Sequence, residues 1–287
     1  MKQDLILVIG ASGTVGSELV KLLNADGHRV RATTSQPSSN ADQTTNQRTD
    51  KVHVNLATGE GLSASFEDVD RAFLLSPPGY ADQYAMLSPL IQEAKRRGLK
   101  KVVLMTAMGA NAVETSPFRR AEIELEKSGL NFTILRPNWF LQNFNTFWVH
   151  GIQSQSKILL PAGQAKVSFI DARDIAAVAA RVLVDARFDN QALDLTGPEA
   201  VDHTRVAKAI SDVTGKKVSY EEIAPENLQK GLLAAGLPAD YVQFLLMIFG
   251  FLREGYNARV TDSVGKVLGQ APRELADYAE TYKKAWQ

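Results

Sequence analysis

A glycine-rich loop directly after an apolar segment constrains the fold of this chain most strongly. Residues 5–9 are continuously apolar and have the length of a strand, and residues 10–16 follow with the sequence GASGTVG. An amphipathic helix with Leu19 and Leu23 on one side comes next, and residues 28–34 have the pattern of a second strand. Two strands joined through a helix form a βαβ unit, so the sequence predicts a parallel sheet.

The spacing of the loop glycines predicts a phosphate-binding turn. In such a loop the first glycine makes a tight turn, the second lets the backbone approach a pyrophosphate, and the third lets the helix pack closely on the strand. The helix N-terminus adds free N–H groups and the positive end of its dipole. A glycine pattern alone is a weak signal, but the strand before it and the helix after it are the context of a dinucleotide site. The alternative is a tight structural turn in another kind of α/β protein.

The rest of the chain alternates short strands with helices, which predicts an α/β Rossmann fold with a doubly wound parallel sheet. The pattern loosens after Pro137, where an aromatic stretch precedes a mostly helical tail. We expect a dinucleotide-binding domain over residues 1–150, with residues 167–197 returning to the sheet, and a smaller helical substrate lobe over residues 198–287. Residues 35–50 are polar without periodicity and are predicted to form an exposed loop. Further strands are predicted at residues 52–54, 71–75, 101–105, 132–135 and 192–195.

Composition argues against several classes of partner and site. The chain has 32 basic and 32 acidic residues, so no net field attracts a polyanion, and we expect no nucleic-acid partner. Without cysteine there is no disulfide and no thiolate ligand, which fits a cytoplasmic protein. No group of histidines or carboxylates has metal-ligand spacing, and no G-x-S-x-G nucleophile motif occurs.

Two apolar stretches bear on a membrane location. Residues 5–9 lead into a glycine turn and not into a cleavage site, so we predict a strand rather than a secretion signal. Residues 244–252 fall well short of the roughly 20 residues needed to span a bilayer and are predicted to form a buried helix. We therefore expect no membrane partner. Such a helix can line a substrate pocket or the interface of a homodimer, and the sequence leaves both open.

The end of the second predicted strand bears on the choice between NAD and NADP. A carboxylate there would hold the ribose 2′-hydroxyl of NAD, and residues 33–36 contain none. The hydroxyls of Thr34 and Ser35 can donate to a 2′-phosphate, and Arg31 or Arg48 can supply positive charge. NADP is therefore the expected cofactor. The alternative is a protein that accepts both dinucleotides.

Four segments together resemble a known family. They are the glycine loop and residues 104–111 (LMTAMGAN), 128–144 (SGLNFTILRPNWFLQNF) and 167–183 (VSFIDARDIAAVAARVL). On these segments the chain resembles the NmrA-like atypical short-chain dehydrogenases/reductases over nearly its whole length. The resemblance implies NAD(P)H-binding reductases of quinone, azo, triphenylmethane or imine substrates. It equally implies redox-sensing regulators without turnover.

The same resemblance implies roles for residues near the ends of the predicted strands. On the pyrophosphate it places Gly10, Ser12, Gly13, Thr14, Val15 and Gly16. Near the adenosine ribose it places Thr34 and Ser35, where many relatives carry an arginine that this chain lacks. Along the rest of the cofactor, toward the nicotinamide, it places Leu75, Ser76, Pro77, Thr106, Ala107, Met108, Pro137, Asn138 and Trp139.

The acid dyad of ordinary short-chain dehydrogenases is missing. Those enzymes use Tyr-x-x-x-Lys, in which the lysine lowers the pKa of the tyrosine so that it can move a proton at the substrate oxygen. Phe118 and Glu122 stand at the corresponding positions, and none of the seven tyrosines is followed four positions later by lysine. The missing dyad favours acceptors that take a hydride readily, such as quinones, iminium ions and cationic dyes.

Five residues are candidates for substrate chemistry. Tyr80 lies on a loop beyond a strand end and is the candidate proton donor, and Asn143 can orient a substrate oxygen. Trp139, Phe140 and Phe144 can form an aromatic wall for a flat conjugated substrate. The alternatives are surface packing for Tyr80, a turn for Asn143 and plain core for the aromatic residues. Two functions follow: a reductase that works mainly by orienting the nicotinamide, or a sensor that binds the dinucleotide and a protein partner.

Overall fold

The computed structural model describes residues 3–35 and 49–287 and divides into two compact units. The first unit comprises Met1–Pro78, Asp82–Pro137 and Ala172–Asp194, and the second comprises Gly79–Ala81, Asn138–Asp171 and Leu195–Gln287. These bounds differ from the expected ones, because the aromatic stretch after Pro137 belongs to the second unit. Most of the predicted polar loop, with Arg48, lies outside the described residues, and Thr49 and Asp50 belong to a strand.

Short strands form one large and one small sheet. In the described part of the chain the strands are β1 (Leu5–Val8), β2 (Arg29–Thr34), β3 (Thr49–His53), β4 (Arg71–Leu75), β5 (Lys101–Met105), β6 (Phe132–Pro137), β7 (Lys157–Leu160), β8 (Gln191–Leu195) and β9 (Ser219–Glu222). The large sheet has the order β3-β2-β1-β4-β5-β6-β8, and all neighbouring pairs from β3 to β6 are parallel. The predicted Rossmann-type doubly wound sheet is confirmed.

Helices flank the large sheet and dominate the second unit. Those described are α1 (Thr14–Ala25), α2 (Leu62–Ser65), α3 (Gln83–Arg97), α4 (Pro117–Glu126), α5 (Val149–Gln155), α6 (Ala172–Val184), α7 (His203–Thr214), α8 (Pro225–Ala234), α9 (Ala239–Arg253), α10 (Ser263–Leu268) and α11 (Leu275–Tyr282). The helix α3 shows how the sequence sets their ends. The Asp82 carboxylate caps its first turn by accepting from the Ala85 N–H, and Gly98 ends it in the left-handed conformation, with φ +63°.

The order of the strands locates the crevice of the first unit. The chain passes from β1 to β2 on one side of the sheet centre, and later enters β4 on the other side of β1. In open parallel sheets, ligands bind beyond the carboxyl ends of the strands where the order reverses in this way. The glycine loop follows the carboxyl end of β1, so it lies at this position.

The second unit packs its helices around an aromatic and aliphatic core. It also contains the parallel pair β7-β9. The apolar helix α9 differs from expectation: Val242, Phe249 and Leu252 are buried, but Met247 and Phe251 are each 49% exposed. A helix on the outside of a core buries only one stripe, so an apolar sequence does not by itself make it a buried helix. Within the described residues, no helix is both long enough and apolar enough to cross a bilayer.

A buried histidine lies within the core of the second unit. His203 is the first residue of α7, and its ring centroid is 5.3 Å from that of Tyr220, 5.5 Å from Phe169 and 5.9 Å from Phe144. Neither ring nitrogen has a hydrogen-bond partner among the described residues. Burial lowers the pKa of His203 to about 4, although the nearby Asp202 carboxylate acts in the opposite direction. This histidine is therefore neutral near pH 7.

We expect His203 to make the protein sensitive to acid. Its pKa is about 6.5 in an unfolded chain and about 4 in the folded one, so the unfolded chain binds more protons between these values. Its contribution to stability is complete above pH 6.5 and is lost as the pH falls toward 4. When the pH is lowered from 7 to 4.5, the free energy of unfolding should fall by about 2 kcal/mol more in the wild-type protein than in His203→Phe. Urea denaturation at both pH values measures the free energy of unfolding. His150→Gln, a substitution of an exposed histidine, is the control. Equal pH dependence of stability in all three proteins would contradict the prediction.

Candidate functional site

Two glycines of the loop are required by the backbone of the protein itself. Gly10 has φ +72°, which side chains rarely adopt, and a Cβ there would come within 2.9 Å of the Leu75 side chain. A Cβ on Gly16 would overlap the Gly10 carbonyl oxygen. The first and third glycines therefore allow the turn and the close packing of α1, as the spacing predicts.

The backbone conformation of Gly13 does not require glycine, and one close contact limits the space for a side chain there. Its φ of −83° and ψ of 177° suit any residue, it is exposed, and the nearest atom to an added Cβ is the Gly10 oxygen at 3.3 Å. It occupies the N-cap of α1, where no side chain caps the helix and no acidic residue lies in the first turn. The unobstructed N–H groups and the helix dipole suit an anion such as a pyrophosphate, and a side chain at Gly13 would fill the space in front of them.

A buried threonine, not recognized from the sequence, holds this loop. The Thr33 hydroxyl accepts from the Gly10 N–H at 3.0 Å and donates to the Val8 carbonyl at 3.2 Å, so it ties the loop to β1. The sequence could have indicated this role, because Thr33 places a hydroxyl at a position of β2 that faces the core, and a buried polar group needs partners. The neighbouring Thr34 is partly buried and Ser35 is exposed at the end of β2.

Arg31 does not fit its expected role as a free partner for a 2′-phosphate. Its guanidinium donates to the carbonyls of Ser65 and Glu67 and lies 3.7 Å from the Asp50 carboxylate. Its side chain is largely buried by these contacts. The other expected charge partner, Arg48, lies outside the described residues.

The sheet brings the remaining predicted cofactor residues of the first unit to one edge. Leu75 ends β4 and Pro137 ends β6, and the segments that follow β4 and β5 begin beside them. The Thr106 N–H donates to the Leu135 carbonyl and the Met108 N–H to the Pro137 carbonyl, each at 2.9 Å. Because parallel strands end on the same side, this edge continues from the glycine loop. It holds Leu75, Ser76, Pro77, Thr106, Ala107, Met108 and Pro137.

Glu122, at the position of the missing catalytic lysine, is fully buried in a network of hydrogen bonds and ion pairs. Its carboxylate accepts from the Thr106 hydroxyl at 2.7 Å and from the Arg136 guanidinium at 2.9 and 2.7 Å. Arg119 donates to the same carboxylate at 3.1 Å. This carboxylate is therefore engaged within the protein, and α4 is joined through it to the carboxyl ends of β5 and β6.

In the second unit, Asn138 uses its whole side chain for internal hydrogen bonds. Its amide donates to the Ser168 hydroxyl and the Asn257 carbonyl, both at 2.8 Å. Its oxygen accepts from the Trp139 N–H at 2.9 Å and from the Asn257 side chain at 3.0 Å. The Asn138 side chain thus anchors the segment after α9. It has little capacity left for the contact with a cofactor that the family resemblance implies.

The three predicted substrate aromatics differ in environment. Trp139 is partly buried, with ring centroids 5.1 Å from Phe249 and 5.9 Å from Trp148, and Phe140 is also partly buried. Phe144 is fully buried in the core of the second unit. Aromatic residues enclose the Phe144 ring, so its burial disagrees with the expectation that it faces a substrate and agrees with the alternative of plain core.

The two candidate catalytic residues remain predictions. Tyr80 is 37% exposed and follows Gly79, whose backbone is hydrogen-bonded to the Tyr241 hydroxyl. Asn143 is partly buried in a short 3₁₀ turn, where its carbonyl accepts from the Trp148 N–H at 2.9 Å. In the part of the chain that the structure describes, no group of three or more histidine or carboxylate side chains could hold a metal ion.

Comparison with known proteins finds relatives that match the chain over nearly its whole length. The chain is 34% identical to the uncharacterized oxidoreductase YesF of Bacillus subtilis strain 168, over 100% of this chain and 98% of that protein. It is 31% identical to the NAD(P)H azoreductase of Xenophilus azovorans, over 98% of this chain and 99% of that protein.

Two solved structures share the fold at low sequence identity. One is the Citrobacter sp. triphenylmethane reductase complexed with NADP(H), with 20% identity, a TM-score of 0.80, and coverage of 98% of this chain and 99% of that one. The other is NmrA, a negative transcriptional regulator, in complex with NADP, with 17% identity, a TM-score of 0.75, and coverage of 98% of this chain and 95% of that one.

The model of the NmrA-like family matches residues 2–282. This chain therefore belongs to the NmrA-like family.

Proposed function

We propose that this protein is an NAD(P)H-dependent oxidoreductase that reduces a conjugated, uncharged acceptor. The observation that carries the proposal is the uncapped N-terminus of α1 behind Gly13, a glycine whose backbone conformation suits any residue. Relatives with about a third of their residues identical are named as oxidoreductases. Solved structures of this fold contain NADP(H), which supports NADP as the cofactor, with NAD as the alternative.

The residues of the first unit would bind and orient the dinucleotide. Backbone N–H groups at the start of α1 would face the pyrophosphate, whereas the Gly13 N–H donates to the Gly10 carbonyl at 2.9 Å and shapes the turn. Thr33 holds the loop that carries these groups. When bound, the dinucleotide supplies the hydride. The protein contributes orientation, which can lower the barrier substantially when the reacting atoms are held in place.

The network around Glu122 supports an acceptor that needs no acid dyad. The positions of the usual tyrosine and lysine hold Phe118 and Glu122, and the carboxylate is saturated by Thr106, Arg119 and Arg136. A buried carboxylate with these partners is not placed to donate a proton. Quinone-like acceptors, which take a hydride without proton transfer in the same step, suit this arrangement.

The second unit favours an acceptor without charge. Residues 138–149 and 241–252 contain no charged side chain, and the two segments meet where Trp139 packs on Phe249. A charged group moved from water onto such a surface loses hydration without gaining a partner. A flat, uncharged, conjugated molecule gains contact with aromatic rings instead.

A dinucleotide-binding regulator is the second candidate. NmrA shares the fold and binds NADP as a negative transcriptional regulator, and the missing dyad is compatible with this role. An assay of NADPH and NADH oxidation, monitored by absorbance, separates the enzyme from the regulator. Its acceptors are quinones, cyclic imines and cationic dyes. Tight binding of the dinucleotide without turnover of any acceptor would favour the regulator.

Gly13→Val should weaken NADPH binding about a hundredfold or more, roughly 2.7 kcal/mol, while the protein stays folded. The branched side chain would occupy the space in front of the α1 N-terminus, whereas the backbone conformation of Gly13 suits any residue. Titration calorimetry measures the affinity and circular dichroism the fold. The matched control is Gly231→Val in α8, where an added Cβ meets no atom within 4 Å. Unchanged NADPH affinity in Gly13→Val would remove the loop from the site.

Ser35→Asp should shift the cofactor preference toward NADH by about tenfold in the ratio of dissociation constants. A carboxylate at the end of β2 repels a 2′-phosphate and accepts from a 2′-hydroxyl. Thr115→Asp, at an exposed position, controls for the added charge. If the ratio does not move, the end of β2 is not near the adenosine ribose.

A neutral naphthoquinone should have a kcat/KM at least about tenfold higher than the same ring carrying a sulfonate, a difference of about 1.4 kcal/mol in barrier. The sulfonate makes the ring more electron-poor, so intrinsic reactivity alone would give the opposite order. Trp139→Ala should lower kcat/KM for the neutral quinone without changing NADPH affinity. Steady-state kinetics on the pair tests this, and equal or faster reduction of the sulfonate would contradict an uncharged acceptor.

A further inference from the structure

The order of the strands assigns the two halves of the dinucleotide to different sides of β1. A bound pyrophosphate would lie at the loop after β1, and the 2′-position that distinguishes NADP from NAD would lie at the end of β2, on one side. The nicotinamide half would then extend to the other side, over β4 and β5. Neighbouring strands are about 4.8 Å apart, so the end of β5 is roughly 10 Å from that of β1, within reach of the second ribose.

Thr106 is the first residue after β5, and its hydroxyl proton is already committed. It donates to the Glu122 carboxylate at 2.7 Å, and an ionised carboxylate can only accept. A hydroxyl has one proton and two lone pairs, so any further hydrogen bond of Thr106 must be accepted from a donor. A ribose hydroxyl is such a donor, and the carboxylate behind Thr106 strengthens it as an acceptor.

Glu122 itself cannot rotate away from this arrangement. The Arg136 guanidinium holds both carboxylate oxygens, at 2.9 and 2.7 Å, and Arg119 adds a further contact at 3.1 Å. The carboxylate has no exposed surface. One oxygen is thereby fixed opposite the Thr106 hydroxyl, at the edge of the sheet where the nicotinamide half extends.

We propose that Glu122 is a positioning residue for the nicotinamide ribose, acting through the Thr106 hydroxyl. The inference rests on the proposed function, because it presupposes a dinucleotide at the glycine loop. Glu122 stands where dyad-containing enzymes have the lysine, and here it would help to position the cofactor. Glu122 touches neither cofactor nor substrate in this role.

The test compares NADPH with adenosine 2′,5′-bisphosphate, which lacks the nicotinamide ribose. We expect Thr106→Val to raise the dissociation constant of NADPH about tenfold and to leave that of the bisphosphate unchanged, and Thr106→Ser to restore NADPH binding. Glu122→Gln should show the same selective loss, and in the Thr106→Val background it should add no further loss. Titration calorimetry measures all the affinities.

The outcomes separate this inference from a purely structural role. Equal loss of both ligands, loss of neither, or additive effects in the double variant would each overturn it. If Glu122→Gln does not fold, Thr106→Val and Thr106→Ser alone decide, because they leave the pair of Glu122 with Arg136 in place. A wild-type protein that binds neither ligand would overturn the proposed function and this inference together, whereas full NADPH binding by every variant would overturn the inference alone.

Discussion

The close approach of α1 to the loop after β1 is the constraint on which the rest of the first unit depends. Gly16 lies so near the Gly10 carbonyl that no side chain fits between them, and Gly10 itself turns through a left-handed conformation against Leu75. This packing directs the N-terminus of α1 at the crevice where the strand order reverses. Gly13 then leaves that N-terminus without a side-chain cap, the arrangement on which the proposed dinucleotide site rests.

The buried carboxylate of Glu122 is the main charged feature on the other side of the sheet centre. Glu122 is removed from water, which is costly unless a charge has good partners. Arg136, Arg119 and Thr106 supply those partners. Breaking such a set would leave an unpaired buried charge. The network joins the middle of α4 to the carboxyl ends of β5 and β6. The proposed reaction without an acid dyad rests on this network.

Aromatic rings form much of the core of the second unit. His203 belongs to that core as a neutral ring, because Phe144, Phe169 and Tyr220 surround it and provide no hydrogen bonds to its nitrogens. The polar network of Asn138, Ser168 and Asn257 is satisfied internally and anchors the segment after α9. The proposal of an uncharged acceptor rests on the aromatic contact of Trp139 with Phe249 in this unit.

Local patterns in the sequence determined the strands β4 and β5 to the residue, the parallel sheet, the glycine loop and the absence of an acid dyad. Each of these depends on neighbours within a few residues, through the period of apolar positions or the size of glycine. The tertiary structure alone decided the partners of Glu122 and Arg31, the link from Thr33 to the loop, the burial of Phe144 and His203, and the exposed face of α9. These depend on contacts between segments distant along the chain, because the energy of a buried charge, ring or hydroxyl is set by the atoms that surround it and not by its sequence neighbours.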